Sequence, residues 1–245
     1  MTRSRYPGYD VLAKRGTPSW DAPTRAVVAA RLRTPHEARW LAPKAWRALV
    51  ALCECIVPQA RHINPVDGES DAHAAPPPAQ NADGACFVPV AALVDAKLLD
   101  DRRDGYRDSR LPPLREAWTT GLAALDAESE AHYRAPFADL DAPRQHALLA
   151  QMQKGALRHR AWHGMPSDVF FAKRAVHDIC AAFYSHPASW SALGFGGPAN
   201  PRGYVRLVDG RRDPWEAAEA PAESHAGEAA DKARDAARRA NGRLR

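Results

Sequence analysis

No stretch of this chain is apolar for long enough to cross a membrane. The longest unbroken apolar run near its start, Ala26–Ala30, is five residues, against the roughly 20 that a spanning helix needs. Arg3 and Arg5 are not adjacent and no apolar core follows them, so neither a secretory nor a twin-arginine leader is expected. On that reading the protein stays in the cytoplasm unless a partner carrying such a leader takes it to the periplasm.

Cysteine is scarce. The four residues at 53, 55, 86 and 180 make no disulfide framework. Cys53 and Cys55 lie two apart in a helical pattern and point about 200° from each other, so they share neither a metal nor a disulfide. Cys53 and Cys180 read as small buried apolar residues. Lysine is rare too, six against 28 arginines, within a net charge of +5. The basic residues alternate with Asp and Glu almost throughout, so no single-signed stripe tracks a phosphate backbone, and nucleic-acid binding is not expected.

Sequence motifs of catalysis are missing as well. There is no GxSxG elbow, HExxH pair or zinc ribbon. Gly194-Phe195-Gly196-Gly197 lacks the Lys-Ser/Thr ending of a phosphate loop, and Pro198 and Pro201 follow it where a helix should begin. His159 and His163 stand at the i, i+4 spacing of two ligands on one helix face, but no third ligand accompanies them. His177 beside Asp178, with Lys173 one turn back, has the composition of an acid–base pair. However, adjacent helical residues point about 100° apart, and Arg174 is placed to ion-pair with Asp178. A polar stripe is the simpler reading. A metal-dependent enzyme built on His159, His163 and His177 is the alternative function. No cofactor is expected to bind this chain.

What is present is helical periodicity. At 245 residues, 45% of them hydrophobic, the chain suits one globular domain that needs no covalent cross-link. Asp21 and Pro23 open a helix running to about Arg33. Pro43 opens a second, to Val57, with Trp46, Leu49, Val50, Cys53, Ile56 and Val57 on one face. A third begins at Pro89 with Val90, Leu93, Val94 and Leu98 aligned. A fourth spans Pro113 to about Tyr133 with Leu114, Trp118, Leu122 and Leu125 inward, and Gly121 beside Trp118 predicts close helix packing. Asp141 caps a fifth, carrying Leu148, Leu149 and Met152 and ending near Gly155. The last long helix, from Ser167 or Asp168 to Ser185, is apolar over most of its circumference. Only Lys173, Arg174, His177 and Asp178 interrupt it, so it is expected at the centre of a bundle with that stripe wetted.

No strand-length alternation appears, so the fold class is all-α: a single compact helical bundle (22–193) with a mobile loop at 59–87. It carries two extended aromatic arms, at 1–21 and 194–216, and a disordered or transiently helical tail at 217–245. Tyr9, Trp20, Phe195, Arg202, Tyr204, Arg212 and Trp215 are the large aromatic and arginine side chains of the arms. They either dock on a partner, where such residues dominate binding, or pack on this protein's own core.

Several blocks, taken in order, resemble the gluconate 2-dehydrogenase subunit 3 family. They are RYPGYDVLAKRGTPSWD (Arg5 to Asp21), ALCECIVPQ (Ala51 to Gln59) and the run from Val88 to Trp118. GMP with FF and HDI (Gly164 to Ile179) follows, and HPASWSALGFGGPANPRGY with RRDPWE (His186 to Glu216) closes the series. The resemblance implies a noncatalytic accessory subunit. Its partner would be a large FAD-binding subunit of the glucose–methanol–choline oxidoreductase type, often alongside a cytochrome c subunit, with flavin and substrate chemistry in the large subunit.

Overall fold

A computed structural model describes residues 5, 6, 8–59, 87–200, 203 and 216–218. Arg202, Tyr204, Arg212, Trp215, nearly all of the tail and nearly all of the 59–87 loop lie outside the described residues. Within them the protein is all-helical: α1 Ala22–Leu32, α2 Pro43–Ile56, α3 Val90–Leu99, α4 Leu114–Tyr133, α5 Ala142–Gln153, α6 Ser167–Phe170, α7 His177–Ser185 and α8 Pro187–Leu193. Short 3₁₀ turns occupy Val11–Gly16, Phe137–Asp139 and Arg160–Trp162. A single isolated parallel bridge, Trp20 with Asn200, is the only β pairing among the described residues.

Local chemistry sets these boundaries. Asp21 accepts from the Thr24 N–H at 2.8 Å and Asp141 from the Arg144 N–H at 3.0 Å, each satisfying an amide that the first helical turn leaves unpaired. Prolines sit in the first turns of α1, α2 and α5, where the missing N–H costs nothing. The longest helix, α4, stops where Arg134 turns left-handed at φ 61°.

The chain divides into two compact units. One, Asp21–Trp190, is the helical bundle. There α2 packs against α3, α4, α5 and α7 around Leu49, Leu52, Trp118, Leu125, Met152 and Phe170, all fully buried. The inward faces expected of α4 and α5 are the ones the fold buries. On α2, by contrast, Leu52 and Ala48 join Leu49 and Cys53 inside, while Trp46, Val50 and Ile56 are half-buried.

The expected single helix over 167–185 is interrupted. Phe171–Val176 is π-helical, a wider turn that inserts an extra residue and shifts the phase of everything after it. Trp118 holds both ends of this segment. Its ring meets Phe170 edge-on at 5.6 Å, and its indole N–H donates to Asp178 at 2.8 Å. The stripe expected to be wetted is therefore only half wetted: Lys173 and His177 are exposed, whereas Arg174 and Asp178 are buried. Phe170 also lies directly over Gly121, where a Cβ would sit 2.2 Å from the ring; the glycine is the close packing point that its position beside Trp118 predicts.

The other unit joins Met1–Trp20 to Ser191–Arg245, and its described parts pair the two arms with each other. The Trp20 indole N–H donates to the Pro198 carbonyl at 2.6 Å. The Lys14 ammonium donates to the Gly196 carbonyl at 2.6 Å, and the Val11 N–H to the Ser191 hydroxyl at 3.2 Å. Gly194 adopts φ +67° under the Tyr6 ring, leaving no space for a side chain there. Contacts between residues nearly two hundred positions apart thus order a stretch with no periodic pattern of its own.

Candidate functional site

The densest polar chemistry lies inside the bundle, where α3, the turn at 100–104, α4 and the π/α7 segment meet. Asp178 is its centre, with a fully buried side chain. One carboxylate oxygen accepts from Lys97 at 2.9 Å and from His177 at 3.0 Å. The other accepts from Trp118 and lies 3.6 Å from Arg174. Asp104 closes the network, accepting from Lys97 at 2.8 Å and from Arg174 at 2.8 Å. Burial pushes the Asp104 carboxyl up, but the hydrogen bonds from Lys97 and Arg174 outweigh it and hold its pKa below the usual value.

The Arg174–Asp178 pair is the i, i+4 bridge expected from spacing. The separation expected between His177 and Asp178 is not found. Although their Cβ vectors diverge, the imidazole curls back over the shorter carboxylate at the junction of the π turn with α7, and the two are hydrogen-bonded.

Among the described residues, Asp104, His177 and Asp178 form the one group close enough to share a metal ion. Its donor set is already engaged: Lys97 and Arg174 occupy both carboxylates. An ion there would have to displace two ammonium and guanidinium contacts, so the chemistry favours a charge-balanced structural network. His159 and His163 do not join it. They flank the 3₁₀ turn Arg160–Trp162 rather than sharing a helix face. His159 accepts from the Ala161 N–H at 3.2 Å, and His163 is exposed in a left-handed conformation.

Beside the network opens a cleft of about 600 Å³, bordered by Arg31, Arg39, Lys97, Arg102, Arg103 and His186. His186 is buried and tautomerically defined: Nε2–H donates to the Arg31 carbonyl at 3.0 Å, while Nδ1 accepts from the Ala188 N–H at 3.3 Å. Burial lowers its pKa below the ordinary histidine value.

Three buried acids escaped the sequence reading. Asp95, in the apolar run of α3, accepts from the N–H groups of Arg39, Trp40 and Leu41 at 2.7, 3.0 and 2.8 Å. Glu128 accepts from His159 N–H at 2.7 Å and from the Trp162 indole at 3.0 Å. Asp126 accepts from Phe137 N–H at 3.1 Å. Asp95 is marked in the sequence by apolar neighbours at every i±3 and i±4 position, Ala91, Ala92, Leu98 and Leu99; Asp126 and Glu128, with Ser129, Glu130 and His132 among theirs, carry no such mark. The sequence also did not mark Gln59, whose side-chain amide donates to the Val88 carbonyl and accepts from the Val88 N–H, both at 2.9 Å.

Of the aromatic arm residues, Trp20 is buried and Tyr9 half-buried, while Phe195 is 47% exposed. Cys53 is buried, and Cys55 and Cys180 are half-buried. Burial pushes the Cys55 thiol up to about 11, so neither it nor Cys53 presents a thiolate near neutral pH. No helix among the described residues is long and apolar enough to cross a membrane.

Comparison with curated proteins and with solved structures returns no match. The sequence model of the family described as Gluconate 2-dehydrogenase subunit 3 matches residues 43–197, which runs from the start of α2 through α8 and into the C-terminal arm and includes every member of the buried charge network. The chain therefore belongs to the gluconate 2-dehydrogenase subunit 3 family, small accessory subunits of dehydrogenase complexes.

Proposed function

We propose that this chain is the noncatalytic small subunit of a membrane-associated, FAD-dependent gluconate, sugar or alcohol dehydrogenase complex. Its work is to support folding, stability and export of the large flavoprotein subunit, with a cytochrome c subunit as a further member of the assembly. The family match across 43–197 carries this reading. The pairing of both network carboxylates with Lys97 and Arg174 supports it, because such pairing suits a structural network.

In this reading the helical bundle is a scaffold and the arms face the partner. Exposed Phe195 is a contact, while buried Trp20 holds the C-terminal arm in place for it. Tyr9, Arg202, Tyr204, Arg212 and Trp215 are the remaining anchors. Co-expression of the large flavoprotein with and without this chain tests the proposal. Soluble, flavin-loaded, active large subunit should depend on the small one and co-purify with it. Turnover of sugar or alcohol by the isolated small subunit overturns the reading.

A further inference from the structure

The cleft beside the charge network has an unbalanced border. Arg31, Arg39, Lys97, Arg102 and Arg103 line it, against two carboxylates, Asp104 and Asp178. Both carboxylates are already committed to Lys97, so the outer arginines set the field of the opening. Arg102 and Arg103 have Asp100 and Asp101 as partners at 3.3 and 2.5 Å, but these arginines are 61% and 69% exposed, and exposed pairs exchange partners readily. Arg39 is held through its backbone by Asp95, and no carboxylate of the described residues forms an ion pair with its guanidinium.

The floor differs from the rim. Buried Val94 and half-buried Leu93, Ala96 and Ala182 give it an apolar lining, whereas Ala30 and Ala181 are exposed. A cationic border beside an apolar lining suits a chain that is acidic and slim. A nucleic acid suits it less, because along the sequence the basic residues alternate with Asp and Glu and form no single-signed stripe for a continuous phosphate backbone.

We infer that this cleft receives a short acidic peptide segment of the large subunit, its carboxylates on Arg39, Arg102 and Arg103 and its backbone along the apolar lining. The identity of the partner rests on the accessory-subunit reading; the chemistry of the cleft does not. Charge complementarity of this kind governs specificity and encounter rate more than buried area does.

The test uses the full chain and a fluorescein-labelled peptide of alternating Glu and Ala, followed by anisotropy at low salt. The wild type should bind saturably, and added salt should weaken the binding. The double variant Arg39→Glu with Arg102→Glu, shown by circular dichroism to retain its helices, should bind at least about tenfold more weakly, as expected for reversed rim charges. Absence of saturable binding by the wild type, or equal binding by the variant, overturns the inference. So does competition by citrate equal to that of the peptide, which assigns the cleft to a small anion, or a wild-type dimer lost in the variant, which assigns it to a second copy.

Co-purification with the large subunit separates the two readings. If the wild type co-purifies and the double variant does so equally well, the cleft inference fails and the accessory role stands. If the wild type does not co-purify at all, the accessory role fails, and the peptide assay alone decides the chemistry of the cleft.

Discussion

Trp118 and Asp178, sixty residues apart, are joined by a 2.8 Å hydrogen bond in the interior of the bundle. Through it the longest helix grips the residue on which Lys97, Arg174 and His177 converge. A buried carboxylate is tolerated when it is both paired and hydrogen-bonded, and Asp178 has both.

Removing that carboxylate strands two cations. Asp178→Ala leaves Lys97 and Arg174 sharing Asp104 alone, and breaking a buried pair this way costs about 3–5 kcal/mol. Asp178→Asn keeps an acceptor for Trp118 and should cost less. Urea unfolding of the three proteins gives the order; an alanine variant within about 1 kcal/mol of wild type, well below that range, contradicts a central role for the network.

Gly121 has no room to grow. A methyl group there meets the Phe170 ring at 2.2 Å, and Phe170 is itself wedged between Trp118 and Trp162 at 5.6 and 5.8 Å. Alanine in a helix interior is ordinarily worth up to about 1 kcal/mol over glycine. Here overpacking of about 1–3 kcal/mol or more should reverse the sign. Adding Phe170→Leu should recover part of the loss, a coupling that a double-mutant cycle measures.

His186 makes stability depend on pH. Burial holds its folded pKa below the ordinary 6.5, and its hydrogen bonds need the neutral ring. As pH falls below about 6.5, the unfolded chain takes up the proton first. Stability should therefore decline from that point until the lower folded pKa is reached, and gain nothing further from this group at alkaline pH. Urea midpoints near pH 7.5 and 5.5 should show the drop, and His186→Gln should shrink it.

One of the contacts that join the arms is the Trp20 indole N–H. Trp20→Phe keeps the apolar bulk and removes the bond to Pro198. Lys14, 3% exposed in the folded protein and bound to the Gly196 carbonyl, should then become cleavable. Trypsin digestion followed by mass spectrometry should find the bond after Lys14 cut markedly faster in the variant. Equal rates mean that the indole bond is not what holds the arms together.

Much of the bundle could be read in advance because its signals are local. The caps Asp21 and Asp141, the first-turn prolines and the apolar spacing of Leu114, Trp118, Leu122 and Leu125 act within one or two helical turns. The π turn at Phe171–Val176 carries no such mark. It reconciles two distant contacts, Phe170 and Asp178, with a single tryptophan on another helix. The candidate site was visible only in outline: the Arg174–Asp178 spacing pointed to an ion pair, but Lys97 and Asp104 reach it from other parts of the chain.

By itself, then, the order of residues determined the class of fold, the start of each long helix and the family, since caps, periodicity and motif blocks are properties of contiguous sequence. Only the tertiary structure decided which acids are buried, that His177 bonds its neighbour, and that the arms pair through Trp20 and Pro198. Those outcomes depend on desolvation and on partners remote in sequence. Neither has a periodicity to reveal it.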